Sequence, residues 1–193
     1  VRRVAAANPN WGAIGVDATI GDDLRATARR AARKPARGGL PNARFGRLAL
    51  KDAPGELVGI ADRLSVILPW GGLLRAVARG EAQALAALRG LCRPGAALRI
   101  VFGYDTGTPT ATDGGARATA GAGADARIVR ELGLPPLDDA SLTALEGACA
   151  EAGWRVRARR VGVEVVRALG TTWAGRVGWG RRGREFVEVV GLG

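Results

Sequence analysis

Six short apolar runs alternate along this chain with longer stretches of helical period, and that alternation restricts the fold more than any single motif. The runs are 11–17 (WGAIGVD), 43–50 (ARFGRLAL), 64–68 (LSVIL), 97–102 (ALRIVF), 154–161 and 184–190 (REFVEVV). Nearly continuous apolar runs of strand length belong to strands covered on both faces, and strands separated by helices pair in parallel. The expected class is therefore α/β with a mostly parallel sheet. Helices are expected over 1–7, stopped by Asn8-Pro9, and over 22–33, capped by Asp22 and Asp23. Further helices are expected over 73–79, over 81–92, from Asp138, Asp139 and Ser141 to Gly153, and mainly over 163–177. Residues 34–42 (KPARGGLPN) read as a loop, and 105–125, rich in Gly, Thr and Ala without a hydrophobic period, as a flexible loop. No internal repeat divides the 193 residues, so a single domain is expected over 1–193.

Charge narrows the partner. Lys plus Arg number 29 against 18 acids, a net charge of +11, and Lys34 and Lys51 are the only lysines. Arginine holds phosphate bidentately and keeps its charge, which points to a nucleic acid. A GC-rich genome, whose codons favour Arg, Ala and Gly, is the competing explanation. The chain has no histidine, which removes every mechanism that needs an imidazole base, nucleophile or ligand. Cys92 and Cys149, both in helical patterns, are too few for a disulfide framework or a thiolate metal site. No apolar run approaches the roughly 18 residues of a membrane span. The sequence VRRVAAANPN has no signal-peptide pattern, so a cytoplasmic protein is expected. Methionine is absent even from position 1, and the chain is expected to begin inside a longer protein.

Three constellations could carry chemistry. Asp17 ends its strand where doubly wound sheets bind ligands, and such an acid holds ribose hydroxyls or caps the next helix. Trp70, in Leu68-Pro69-Trp70-Gly71-Gly72, either projects above the sheet into a cleft or packs in the core under a loop. Thr171-Thr172-Trp173, with Arg176 and Arg181 following, sets an aromatic face beside guanidinium groups. That pattern suits a stacked base and its phosphate, or a solvated basic helix face. Trp11 and Trp154, at strand starts, are expected in the core; Trp179, between glycines, has no assigned place.

The segments NPNWGAIGVDA, ARKPARGGLPN, VILPWGGLLRAV, LCRPGA, AEAGW and ALGTTWAGRV, in this order, resemble the aminoglycoside-resistance methyltransferases. These enzymes transfer a methyl group from S-adenosyl-L-methionine to N1 of an adenine in the 16S rRNA decoding site. The resemblance runs from Val1 to the last strand, with the PWG and TTW motifs its most specific parts. It implies a class I methyltransferase fold, strand order 3-2-1-4-5-7-6 with strand 7 antiparallel. It also implies that Asp17 binds the cofactor ribose, that Trp70 and Trp173 sandwich the flipped adenine, and that Thr171 braces the cofactor side. Arg33, Lys34, Arg37, Arg176 and Arg181 would hold rRNA phosphates. The implied enzyme is a metal-free monomer acting on the small ribosomal subunit.

The residues agree with this chemistry. Adenine N1 has an in-plane lone pair and needs no general base. Methyltransferases of exocyclic amines place Asp or Asn before Pro-Pro-aromatic, where this chain has apolar Leu68 before Pro69-Trp70. Three departures stand out. The family's first strand and its Asp-x-Gly-x-Gly-Asp-Gly turn are absent, so the strand between strands 2 and 4 is expected to be missing. Leu50-Lys51 replaces the Ala-Glu that contacts the cofactor's adenine ring, and Gly72 stands where Ser is common. The alternatives are an inactive fragment or a non-catalytic RNA-binding protein. A nicotinamide-dependent oxidoreductase is disfavoured, because no G-x-G-x-x-G follows a strand.

Overall fold

The structure, a computed structural model, describes residues 1–19, 21–105, 122–170 and 184–193. They fall into two compact units, Val1–Gly55 and Glu56–Gly193. No helix among the described residues is long and apolar enough to cross a membrane.

The first unit contains α1 (Arg2–Ala7), β1 (Ala13–Asp17), α2 (Asp22–Ala31) and β2 (Ala43–Arg47). β1 and β2 are parallel, in register from Ala13 opposite Ala43 to Asp17 opposite Arg47. Three alanines, Ala5, Ala31 and Ala43, form the buried centre, with Ala13, Leu40 and Phe45 packed around them. A Cβ at Gly15 would run into the side chains of Val1 and Phe45, so glycine there lets the ring lie against β1. The Asn42 amide nitrogen lies 3.0, 3.1 and 3.0 Å from the carbonyl oxygens of Ala5, Asn8 and Trp11. Its two N–H groups are shared among three acceptors, fixing the turn that carries α1 into β1.

The second unit holds β3 (Ala61–Ile67), α3 (Gly71–Ala78), α4 (Ala82–Gly90), β4 (Cys92–Asp105), α5 (Ala122–Leu132), α6 (Asp139–Glu151), β5 (Arg155–Val161), α7 (Val163–Ala168) and β6 (Arg184–Leu192). The strand order is β3-β4-β6-β5. β3 and β4 are parallel, and β6 runs antiparallel to both β4 and β5. Every second residue of β4 from Leu98 to Tyr104 is buried, as are Val187 and Val189 of β6 on the same face. Leu74, Val77, Leu85, Leu88, Leu145, Cys149 and Trp154 complete this core. The other sheet face packs Val101 and Phe186 against Val166 of α7, together with Leu68. Further along that face the buried Glu188 accepts hydrogen bonds from Arg99 at 2.9 Å and from Arg159 at 2.6 Å, bridging three strands. Burial pushes the Glu188 carboxyl up, but the two guanidinium groups outweigh it and hold the group below its ordinary value.

Several expectations need correction. β1 is not a strand covered on both faces, since Ile14 and Val16 are 51 and 52% exposed. Trp11 is exposed rather than core, whereas Trp154 is buried and donates from its indole nitrogen to the Leu85 carbonyl. Asp22 and Asp23 do not cap α2; Gly21 is its N-cap without a side-chain bond, and both acids lie in the first turn, favourable to the helix dipole. Cys92 opens β4 instead of closing a helix. The helix from Val163 stops at Ala168, followed by Gly170 at φ +61°, and residues 171–177 of the expected helix lie outside the described residues. Asp105 belongs to β4 and 122–125 to α5, so those ends of the expected flexible loop are regular; 106–121 lie outside the described residues.

Candidate functional site

The chain leaves β3 through a turn of unusual backbone. Leu68 has φ +48°, the only positive φ at a non-glycine among the described residues. A left-handed conformation costs an L-residue about 1–2 kcal/mol. Two contacts hold it: the Leu68 N–H donates to the Val101 carbonyl at 2.7 Å, and its side chain is buried among Val101, Val166 and Phe186. Trp70 then returns to extended geometry as the N-cap of α3, and Gly71 is again left-handed at φ +57°. Between these two reversals the Trp70 residue is 55% exposed. It stands beyond the carboxyl end of β3, where parallel sheets bind ligands. Trp70 therefore takes the projecting alternative, not that of a core residue.

The parallel strand β4 ends on the same side, at Tyr104 and Asp105. Burial raises the Tyr104 hydroxyl far above its ordinary value, and that hydroxyl donates to the Pro135 carbonyl at 2.7 Å. β5 runs parallel to β4, so α7 also starts at this end and packs on Leu68 through Val166. Thr171, Thr172, Trp173, Arg176 and Arg181 follow α7 in the chain and lie outside the described residues, as does Trp179.

In the first unit, Asp17 ends β1, and its Oδ1 accepts from the Thr19 N–H at 2.8 Å. Leu50 and Lys51 sit in a short 3-10 turn, Leu50–Asp52, just after β2. Because β1 and β2 are parallel and the Leu48 N–H donates to the Asp17 carbonyl, these residues emerge at one end of the pair. Arg47 joins the two loops by donating to the Ala18 carbonyl at 3.1 Å, a contact that no sequence motif announced. The Lys51 ammonium lies 3.9 Å from the Asp52 carboxylate, and both are exposed. Arg33, Lys34 and Arg37 are elsewhere. They surround the turn Pro35–Arg37 between α2 and β2, at the opposite end of the strand pair from Asp17. Among the described residues, no cluster of three or more His, Cys, Asp or Glu side chains could hold a metal ion.

The orders β2-β1, parallel, and β3-β4-β6-β5, with β6 reversed within its own sheet, match the flanks 3-2 and 4-5-7-6 of the expected order. Together with an acid closing β1 and an aromatic turn closing β3, they define a class I S-adenosylmethionine-dependent methyltransferase. Comparison with known proteins narrows the class. The NpmA family of 16S rRNA (adenine(1408)-N(1))-methyltransferases matches residues 1–190, and the chain belongs to this family. The 16S rRNA (adenine(1408)-N(1))-methyltransferase of Streptoalloteichus hindustanus is 30% identical over 193 residues, covering 98% of this chain and 80% of its own. A variant of the Catenulisporales acidiphilia enzyme of the same name, solved with the cosubstrate SAM, superposes with a TM-score of 0.77. It is 31% identical and covers 99% of this chain and 79% of its own. The antibiotic-resistance methyltransferase Kmr gives a TM-score of 0.68 at 35% identity, covering 100 and 81% of the two chains.

Proposed function

We propose that this chain methylates N1 of the adenine in the 16S rRNA decoding site, on the assembled small ribosomal subunit, and so confers aminoglycoside resistance. The observation that carries the reading is the exposed Trp70 indole at the carboxyl end of β3, preceded by apolar Leu68. A stacking face preceded by apolar Leu68, where methyltransferases of exocyclic amines place Asp or Asn, suits a ring nitrogen that already owns a lone pair. Both units belong to one methyltransferase domain in this reading, and the protein works as a cytoplasmic monomer without a metal.

S-adenosyl-L-methionine supplies an electrophilic methyl group held on a sulfonium. The carboxylate of Asp17 fits its ribose: one oxygen is engaged by the Thr19 N–H, which fixes the side chain and leaves the other oxygen for hydroxyl groups. Leu50 and Lys51 line the side of its adenine ring, and Thr171 braces the pocket. Trp70 and Trp173 hold the extruded base between two π faces, returning about 1–3 kcal/mol per stacked base against an extrusion cost of a few kcal/mol. The same faces attract the positive charge that N1 acquires. Arg33, Lys34, Arg37, Arg176 and Arg181 grip phosphates, with the first three set apart from Asp17 by the length of α2, so that they grip a separate stretch of RNA.

The direct test incubates the full-length protein and S-adenosylmethionine with purified small subunits, followed by reverse transcription. An N1-methyl group blocks the Watson–Crick edge, so a new stop at one decoding-site adenine is expected. Subunit binding with neither cofactor binding nor a stop would favour the non-catalytic RNA-binding alternative and overturn this reading.

A further inference from the structure

Leu68 is left-handed although it is neither glycine nor asparagine, and such a residue persists only where its surroundings over-determine it. Those surroundings are specific. Its N–H continues the β3–β4 ladder by one bond to Val101, and its side chain belongs to one buried apolar cluster with Val101, Val166 and Phe186, against which Val163 and Leu169 of the α7 region also pack. If this seat were lost, the backbone at 68 would relax toward extended geometry, and Pro69-Trp70 would leave β3 in another direction. Gly71, left-handed at no steric cost, would not oppose the change. We infer that Leu68 is a positioning residue for Trp70, and that Val166, a residue of α7 with no place in the proposed adenine clamp, sets the direction of the indole through the cluster that holds the Leu68 side chain. The same cluster joins the β3 turn to α7. The inference rests on the reading of Trp70 as a stacking face for the base.

A double-mutant cycle in the full-length protein tests it, using single-turnover methylation of small subunits, cofactor affinity and melting as readouts. Val166→Ala should slow methylation about tenfold, since small misplacement of a reacting base is costly, with cofactor affinity changed less than about twofold. In the Trp70→Ala background the same change should have almost no further effect, because there is no indole left to direct. Leu68→Ala should behave as Val166→Ala does, and Leu68→Met, which refills the seat, should recover most of the rate. If Val166→Ala unfolds the protein, Leu68→Ala carries the cycle in its place. Equal losses in the wild-type and Trp70→Ala backgrounds, or wild-type rates in both Leu68→Ala and Val166→Ala, would overturn the positioning role alone. A fully active Trp70→Ala variant would overturn the stacking reading, and the positioning role with it.

Discussion

The two units close their cores with different materials. Residues Val1–Gly55 bury three alanines and tie the turn around them with the amide of Asn42, while Ile14 and Val16 stay half exposed. Residues Glu56–Gly193 bury Trp154, Phe102, Leu74, Leu85 and Ile100 almost completely. Burial stabilises roughly in proportion to apolar area, about 25 cal/mol per Å², so an alanine core contributes little per residue. Hydrogen bonds do proportionately more in the first unit, and apolar packing does more in the second. The second unit should be the stable body and the first the softer one, which local opening would reach first.

Matched truncations give the largest contrast. Trp154→Ala should cost about 3–5 kcal/mol in chemical denaturation, because a fully buried indole leaves a cavity and its hydrogen bond to the Leu85 carbonyl is lost. Val16→Ala, on the open face of β1, should cost less than about 1 kcal/mol. Comparable costs would mean that the face of β1 is covered in the working protein, and the contrast between the units would fail.

A second contrast sets two tryptophans against each other. Trp70→Ala should leave melting nearly unchanged yet slow methylation more than about tenfold, since stacking is worth about 1–3 kcal/mol per base. Trp70→Phe should recover part of the rate. Trp154→Ala should do the reverse, its activity tracking the folded fraction. A Trp70→Ala variant that loses melting temperature and activity in proportion would make Trp70 a packing residue.

That contrast also shows where sequence stops informing. Six apolar runs placed six strands, and the order of the four C-terminal ones follows from the resemblance, because strand and helix periods are local properties. Burial is not local. WGAIGVD and ALRIVF look alike in sequence, yet β4 lies between two hydrogen-bonded neighbours and β1, among the described residues, has β2 alone. Trp11, expected in the core, is exposed for the same reason. Asp17 and Trp70 were legible as strand-end residues, but the left-handed backbone of Leu68 was not. It arises from a seat partly built by Val166, 98 positions further along the chain, which no local pattern encodes. Gly170 ended the helix from Val163 sooner than its apolar period suggested, a case of backbone chemistry overriding periodicity.

The Glu188 bridge offers a smaller effect with a defined sign. Its carboxyl is held below the ordinary value, so its contribution to stability is present above the unfolded value, near pH 4.3, and is lost as pH falls through the lowered folded value. Wild-type stability should therefore drop as pH falls from about 5 toward 3, and Glu188→Gln should be less stable at pH 6 but show a shallower acid limb. An unchanged acid limb would mean that other carboxylates dominate acid unfolding.

The smallest expected difference compares how helices begin in the two units. In the second, Asp138 caps α6, accepting the Ser141 N–H at 2.8 Å, and this bond holds its carboxyl below the usual range. In the first, α2 starts at Gly21 with no side-chain cap, although its backbone is extended and a Cβ there would meet nothing. Asp138→Ala should thus lower the melting temperature by about a few degrees at pH 7, and by less in acid, as the wild-type carboxylate is protonated when pH falls through its lowered folded value. Gly21→Ser supplies the missing acceptor without strain. Glycine is already a tolerable N-cap, so the gain should be only a few tenths of a kcal/mol, visible as slower amide exchange in α2 rather than as a shift in global melting. If Gly21→Ser instead raised global melting as far as Asp138→Ala lowers it, the first unit would be unfolding together with the second, and it would not be the softer body that its alanine core predicts.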